Sequence, residues 1–359
     1  MDYKETLFFI AKCLTINHEK HNLNIIKKLL ESHSIDWDSV VRISTSHYVF
    51  SALYSNLKKA KLLDFLPSDL VEYMQHITNL NRERNLGIKN QAKELNQLLI
   101  NNNIKPIFLK GVGHLFDNLY ADVGERMIAD IDFIVSKDDY FKTIKLVENF
   151  GYTKVEKNKH HSPSFKHYPR LQKENCYAAV EIHKELLIEK FASELNYKII
   201  KKEHLELNKL KVLGYNDQLV LSILSNQIND DGFYIKNLTL KHAYDAFLLS
   251  KKTNTKKAIQ KFNKLKHPLN CYLASSYQVF NKIETLAYDS SVKTEKYLSL
   301  FNKYLVDHKK RKRDYKRIKY KLYLIRKKDF ILKIIFYKEY RNWFINDFLI
   351  KLNLKKLAS

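Results

Sequence analysis

The stretch from Ile128 to Val135 is β-branched and apolar except at Asp130 and Asp132. Side chains alternate along an extended strand, so both aspartates share one face while Ile131, Phe133 and Val135 share the other. A fold containing this strand has to seat one face in a core and carry two carboxylates on the opposite surface. A second such segment is Tyr177 to His183. There Ala178, Val180 and Ile182 form one face, and Ala179, Glu181 and His183 form the other, which makes a third carboxylate available. Lys173-Glu174-Asn175 reads as the hairpin connection back to Phe165–Leu171, with Pro169 weakening that partner or confining it to an edge.

The flanking sequence is helical. Glycine (7) and proline (5) are scarce and no repeat is evident, which disfavours propellers and sandwiches. Ile88, Ala92, Leu95 and Leu99 mark one apolar helical face, and Pro67, Ser68 and Asp69 mark the start of a helix. Ile104–Leu109 reads as a strand, and Lys110-Gly111-Val112-Gly113 as a tight loop and helix start. A helix carrying Tyr140, Ile144 and Val147 ends before Gly151, and Tyr152–Val155 reads as a third strand. From Lys184 onward the expectation is helix, including Leu219–Leu224 and Leu238–Leu249. The class is α+β: a small mixed β-sheet flanked by helices, with helical N-terminal and C-terminal regions. The expected division is a helical region over 1–94, the sheet core over 95–190, a helical domain over 191–300 and a basic, aromatic helical tail over 301–359.

Charge adds a second constraint. The net charge is +24 and the isoelectric point about 9.6, which suits a polyanionic partner, although a general richness in Lys, Asn, Ile and Tyr contributes to it. Residues 308–328 hold twelve Lys or Arg against one acid, Asp314, interleaved with Tyr315, Tyr320 and Tyr323. That segment fits an anionic polymer such as RNA or an anionic membrane surface, or equally a solvated helix. Phe336, Tyr340, Trp343 and Phe344 follow at helical spacing, fit for a membrane interface or for docking on the core. Cys13, Cys176 and Cys271 are too few and too scattered for a disulfide framework or a cysteine zinc site. With neither a secretory leader nor a transmembrane segment in evidence, the expected place is the cytoplasm, with peripheral attachment to the inner membrane face as an open extension.

Clustered carboxylates suit phosphoryl-type transfer, because hard Mg²⁺ prefers oxygen ligands and two ions roughly 3.5–4 Å apart can clamp attacking and leaving oxygens. Taken alone, Asp-x-Asp is also what an edge strand ending in solvent would show. The surrounding motifs add to it: Phe108-Leu109-Lys110-Gly111, Leu119-Tyr120-Ala121-Asp122 with Arg126, Asp130-Ile131-Asp132-Phe133-Ile134-Val135, Gly151-Tyr152 and Val180-Glu181-Ile182-His183. In these the chain resembles the nucleotidyltransferase superfamily, specifically the bacterial group called nucleotidyltransferase family 5, over roughly residues 95–190 and more weakly to Leu249. The resemblance implies that Asp130, Asp132 and Glu181 bind two Mg²⁺ or Mn²⁺ ions beside a nucleoside triphosphate, with Glu181 nearest the acceptor hydroxyl. Two departures stand out. The third acid is a glutamate where the superfamily usually has aspartate. The Gly-Ser or Gly-Gly element before the first acid is replaced by Lys110-Gly111-Val112-Gly113, about twenty residues upstream, a change this group shares.

Lys110, Gly111 and Gly113 are the expected phosphate-binding residues, the alternative being that the glycines only permit a tight turn. Arg126 is expected to meet the polyphosphate, or to form an ion pair with Asp122 or Asp130. His183 is expected to support Glu181 through a hydrogen bond. His242 and Asp245, one helical turn apart, are expected to pack against the site or pair with each other. His160, His161 and His167 match no zinc ligand set and are assigned to an exposed loop.

The leading functional expectation is metal-dependent transfer of a nucleoside monophosphate from an NTP to an acceptor. RNA, a sugar or sugar phosphate, a protein hydroxyl and a small metabolite all stand as acceptors. Two alternatives use the same fold: a catalytically silent nucleotide-binding protein, and a basic nucleic-acid-binding protein driven by residues 308–328.

Overall fold

The computed structural model describes residues 1–32, 34–155, 163, 165–207 and 209–351. The fold is mixed α+β. Helices α1 (Tyr3–Thr15), α2 (Lys20–Glu31), α3 (Trp37–Ser46) and α4 (Phe50–Lys59) lead into the 34-residue α5 (Ser68–Asn101). Pro67 caps α5 without a side-chain hydrogen bond, so the helix starts where the sequence placed it, set by the backbone rather than by a capping side chain. It runs through residue 94, which makes the last turns of the N-terminal region and the first cover of the sheet a single rigid rod.

The sheet follows with β1 (Ile107–Phe108), α6 (Lys110–Phe116), β2 (Asp130–Ile134), α7 (Tyr140–Asn149), β3 (Thr153–Lys154), β4 (Leu171–Gln172) and β5 (Ala179–His183). Uninterrupted helix beyond Lys184 was the expectation, and it is corrected. After the short α8 (Tyr197–Ile200), β6 (His204–Leu207) and β7 (Leu210–Leu213) form a hairpin in the same sheet. Strand β7 runs parallel to β1, so the order is β3-β4-β5-β2-β1-β7-β6. The mixed apolar and charged run from His204 to Leu213 gains its strand character from that pairing, which local propensity does not encode.

The alternation read from the sequence holds in three dimensions. Ile131, Phe133, Val135, Val180 and Ile182 enter one core together with Ile88, Ala92, Leu95 and Leu99 of α5 and Tyr140, Ile144 and Val147 of α7. The opposite face looks toward a second, larger core built by the N-terminal helices and by α9 (Tyr215–Leu224), α10 (Gly232–Ile235), α11 (Leu240–Ser250), α12 (Thr255–Gln260) and α13 (Lys266–Val279). Burying Ile88, Leu95 and Leu99 of α5 contributes several kcal/mol, at about 1.5–3 kcal/mol each. One turn of π-helix, Ser225–Asn229, joins α9 to α10.

The chain closes with α14 (Val292–Val306), α15 (His308–Phe336) and α16 (Lys338–Lys351). Helix α15 has no buried residue. Among the described residues no helix is long and apolar enough to cross a membrane.

Candidate active site

Strands β2 and β5 are parallel neighbours, with Asp130 opposite Ala179, Asp132 opposite Glu181 and Ile134 opposite His183. This register puts Asp130, Asp132, Glu181 and His183 on one face, from three turns of sequence logic that separately gave only parity. Helix α5 fixes the approach to that face. Asn81 and Asn85 donate to the carbonyls of Val123, Gly124 and Arg126. Arg84 donates to the Ile128 carbonyl and, at 3.1 Å, to that of Tyr177. Gln91 exchanges two hydrogen bonds with the Ala178 backbone. Polar residues of one long helix thus pin the loop before β2 and the start of β5, which makes the carboxylates rigid.

Asp132 is buried. Its Oδ1 accepts from Lys110 Nζ at 2.7 Å and from His183 Nε2 at 2.8 Å. Burial alone would raise its carboxyl, but Lys110 and His183 together hold it well below the usual range. Burial works against the Lys110 ammonium as well, and the carboxylates around it more than compensate, so it stays charged. Glu181 is also buried. Its Oε1 accepts from Arg170 at 3.1 and 3.2 Å, and its Oε2 lies 3.6 Å from His183 and 3.8 Å from His167. Asp130 is half-buried and accepts from Arg170 at 2.8 Å. Burial, with Asp132 and Glu181 close by, pushes its carboxyl up to about 6.

Asp132, Glu181 and His183 can each offer a ligand atom within 4.8 Å of the others. Two hard oxygen donors plus one imidazole fit a divalent cation such as Mg²⁺ or Mn²⁺. Lys110 and the half-exposed Arg170 supply between the acids the kind of positive charge that such a cation would bring. The expected metal set therefore acquires a neighbour: His183, anticipated only as support, stands among the ligand-capable atoms, while Asp130 sits at the group's outer edge.

A cavity of about 190 Å³ opens beside the acids, lined by Lys110, Gly111, Arg126, Asp130, Asp132, Lys166, Lys241 and His242, and by Ser225 and Asn229 of the π-turn and Asp230 just after it. Lys166 and Lys241 are cations that sequence reasoning missed. Burial depresses both, with further repulsion on Lys166 from Lys110 and on Lys241 from Arg126; Lys241 is brought down to about 8. No local signal marks Lys241, because its position depends on how α11 docks. The hairpin did carry a signal for its own missed residues. Reflection about Glu174 of the expected Lys173-Glu174-Asn175 turn sets His167 against Glu181; the observed bridge lies two residues further on, His167 against His183, and with Leu171 opposite Val180 it brings Arg170 near Glu181. His167 is thereby corrected from an exposed loop to a half-buried neighbour of Glu181, pushed down to about 4 mainly by burial. His160 and His161 lie outside the described residues.

The glycine element differs from a loop. Lys110 through Gly113 already belong to α6, entered through a left-handed Lys110 with φ of 49°, a conformation that costs an L-residue about 1–3 kcal/mol. The Gly113 amide is spent on the Leu109 carbonyl, and a Cβ there would sit 3.4 Å from the Phe108 carbonyl oxygen. Gly111 does line the cavity, and a Cβ on it would press on Ile128 at 3.0 Å. Packing on Ile128 thus constrains Gly111, whereas a Cβ on Gly113 would make only ordinary contact.

Arg126 pairs with neither Asp122 nor Asp130. Asp122 is held by Arg82 at 2.7 Å, and Arg126 makes a bidentate pair with Asp245 of α11, both bonds 2.8 Å. Tyr120 donates to the same carboxylate. Despite its burial, the Arg126 guanidinium holds Asp245 far below the usual carboxylate range. His242 Nδ1 is 4.0 Å from Asp245 and makes no hydrogen bond among the described residues. Burial, with Lys241 adjacent, pushes His242 down to about 3, so it is neutral at the cavity wall.

A family model described as an uncharacterised nucleotidyltransferase matches residues 33–278, more than half of the chain. The match reaches well beyond the 95–190 core on both sides, taking in α3 to α5 and α9 to α12 and ending inside α13. No curated protein and no solved structure matches the chain.

Proposed function

The chain belongs to the uncharacterised nucleotidyltransferase family, and from that premise we propose that it transfers a nucleoside monophosphate from an NTP to an acceptor and releases pyrophosphate. The observation that carries this reading is the parallel register pairing Asp132 with Glu181, which gathers three carboxylates beside a cavity walled by cations. Asp130, Asp132 and Glu181, with His183 beside them, are the groups that would hold Mg²⁺ or Mn²⁺, two ions in the full arrangement. When bound, such ions supply positive charge to the reacting phosphate.

The chain's own residues do the rest. Lys110, Lys166 and Lys241 line the space for a triphosphate and offset its charge. Gly111 gives the phosphates close approach to α6. Arg126, committed to Asp245, acts as a positioning residue that fixes the loop before β2. His242 offers a neutral ring nitrogen to the substrate. The acceptor oxygen forms its bond to the α-phosphorus as the bond from that phosphorus to the bridging oxygen breaks. The electron pair leaves with pyrophosphate, and the acceptor proton passes to Glu181, which also orients the attacking oxygen. Arg170 must swing off Asp130 and Glu181 for substrate to enter, which its half-exposed position allows.

The test is incubation of the protein with each α-phosphate-labelled NTP, Mg²⁺ or Mn²⁺ and fractionated cell extract. Label should move to one acceptor fraction with pyrophosphate released, and Asp130→Ala/Asp132→Ala should abolish it. Transfer that survives in the double variant would reject the site.

A further inference from the structure

We propose that α15 is a track for a single-stranded polynucleotide whose end enters the carboxylate cavity, making RNA the acceptor class; this rests on the nucleotidyltransferase reading of that cavity. The argument starts from where α15 is anchored. Lys319, at 2.9 Å, and Arg326 both pair with the buried Asp231 carboxylate. Asp231 adjoins Asp230, which lines the cavity and feels the Lys319 charge. Further along, Lys333 pairs with Glu189, in the segment that follows β5. Between Lys319 and Lys333 the helix advances about 21 Å at 1.5 Å per residue. Helix α15 therefore runs from the π-turn side of the cavity to the segment that follows β5.

Only some of its cations are used in these anchors. Lys312, Lys316, Arg317 and Lys321 are exposed, and Tyr315, Tyr320 and Tyr323 are exposed between them. Regularly spaced cations neutralise a phosphate backbone, and exposed aromatic rings stack on bases without regard to sequence. A lipid surface fits this segment less well. From His308 to Tyr323 the aliphatic residues Ile318 and Leu322 are only partly exposed, and the exposed apolar side chains of α15, Leu324, Ile325, Ile331, Leu332, Ile335 and Phe336, lie C-terminal to this cationic stretch, which itself has no apolar stripe to seat in a bilayer. The helix lies outside the residues that the family model matches.

The experiment uses the full chain, a fluorescent single-stranded RNA 20-mer with a 3′-terminal 4-thiouridine, and vesicles of equal phosphatidylglycerol and phosphatidylcholine. The expected result is RNA binding that weakens with salt and a 3′-end crosslink to peptides containing Lys110–Asp132 or Ser225–His242. Lys312→Glu/Lys316→Glu/Arg317→Glu/Lys321→Glu should weaken RNA binding at least a hundredfold. The matching set of alanine substitutions should lower the slope of log affinity against log salt by about 3. Thermal melting reads the folding of both variants. Binding and crosslinking require no turnover, so they remain informative if transfer fails. NTP-dependent labelling of a non-RNA acceptor, with no RNA bound, would sink this inference and leave the cavity's reading standing. Charge reversal that spares RNA binding, crosslinks remote from the cavity, or binding to vesicles alone would each overturn it.

Discussion

Two buried aspartates of this molecule meet similar partners in different surroundings. Asp132 meets a lysine and a histidine; Asp245 meets an arginine, a tyrosine and two histidines. The Asp245 carboxylate is sealed away from the cavity, although Arg126 and His242 beside it line that cavity. One carboxylate faces one bidentate guanidinium, and the surrounding histidines are held neutral by burial. The Asp132 group faces a cavity and carries three acids against Lys110 and Arg170. Its residual negative charge and its open side are what a divalent cation and a phosphate need. The difference teaches that residue type does not separate a structural ion pair from a reactive site. Charge balance and access to a cavity do.

That contrast breaks first at Asp245. Asp245→Ala leaves the Arg126 guanidinium buried without a partner and should cost about 3–5 kcal/mol of stability, read by chemical denaturation. A loss under 1 kcal/mol would show that the pair is not structural. At the open group, Asp132→Asn keeps the shape and the His183 contact but removes the charge. Transfer should fall about a hundredfold to a thousandfold with the fold retained by circular dichroism, and full activity would erase the distinction between the groups.

The sealed side also has a pH signature at Glu125, beside Arg126. Burial pushes this carboxyl up to about 7 from an ordinary 4.5, so the folded state holds the proton more tightly than the unfolded chain. The stabilisation is complete below the unfolded value and is lost as pH rises through 7. Glu125→Gln should therefore gain on the wild type by about 2 kcal/mol between pH 5 and pH 8, measured by parallel melts. An equal difference at both pH values would deny that burial.

The smallest expected effect sharpens the open side. Lys241→Ala should raise the KM for NTP about tenfold, roughly 1.4 kcal/mol, with little change in kcat. Because the ammonium loses its proton near pH 8, wild-type KM should climb above that pH, while Lys241→Arg should flatten the rise. A KM independent of both would remove Lys241 from the phosphate wall.

Much of the acid constellation was legible because strand parity is a local property. The alternation at Asp130–Asp132 and at Glu181–His183 survives any arrangement that keeps those segments extended. The apolar face of α5 was legible for the same reason at helical period. The β6–β7 hairpin was not, since β7 becomes strand by pairing with β1 and β6 by pairing with β7. The ion-pair partner of Arg126 was illegible for a related reason: the sequence offered Asp122 and Asp130 nearby, and the partner, Asp245, lies 119 residues away.

By itself, then, the sequence determined which side chains share a face, because backbone geometry repeats every two residues in a strand and every 3.6 in a helix. Tertiary structure decided what those faces meet: the parallel register that sets Asp132 beside Glu181, the docking of α11 that brings Lys241 to the cavity and Asp245 to Arg126, and the pairing of α15 with Asp231 and Glu189. Those outcomes depend on long-range pairing and on burial, which set both the distance between charges and the dielectric in which they act, and neither is written in any local stretch of chain.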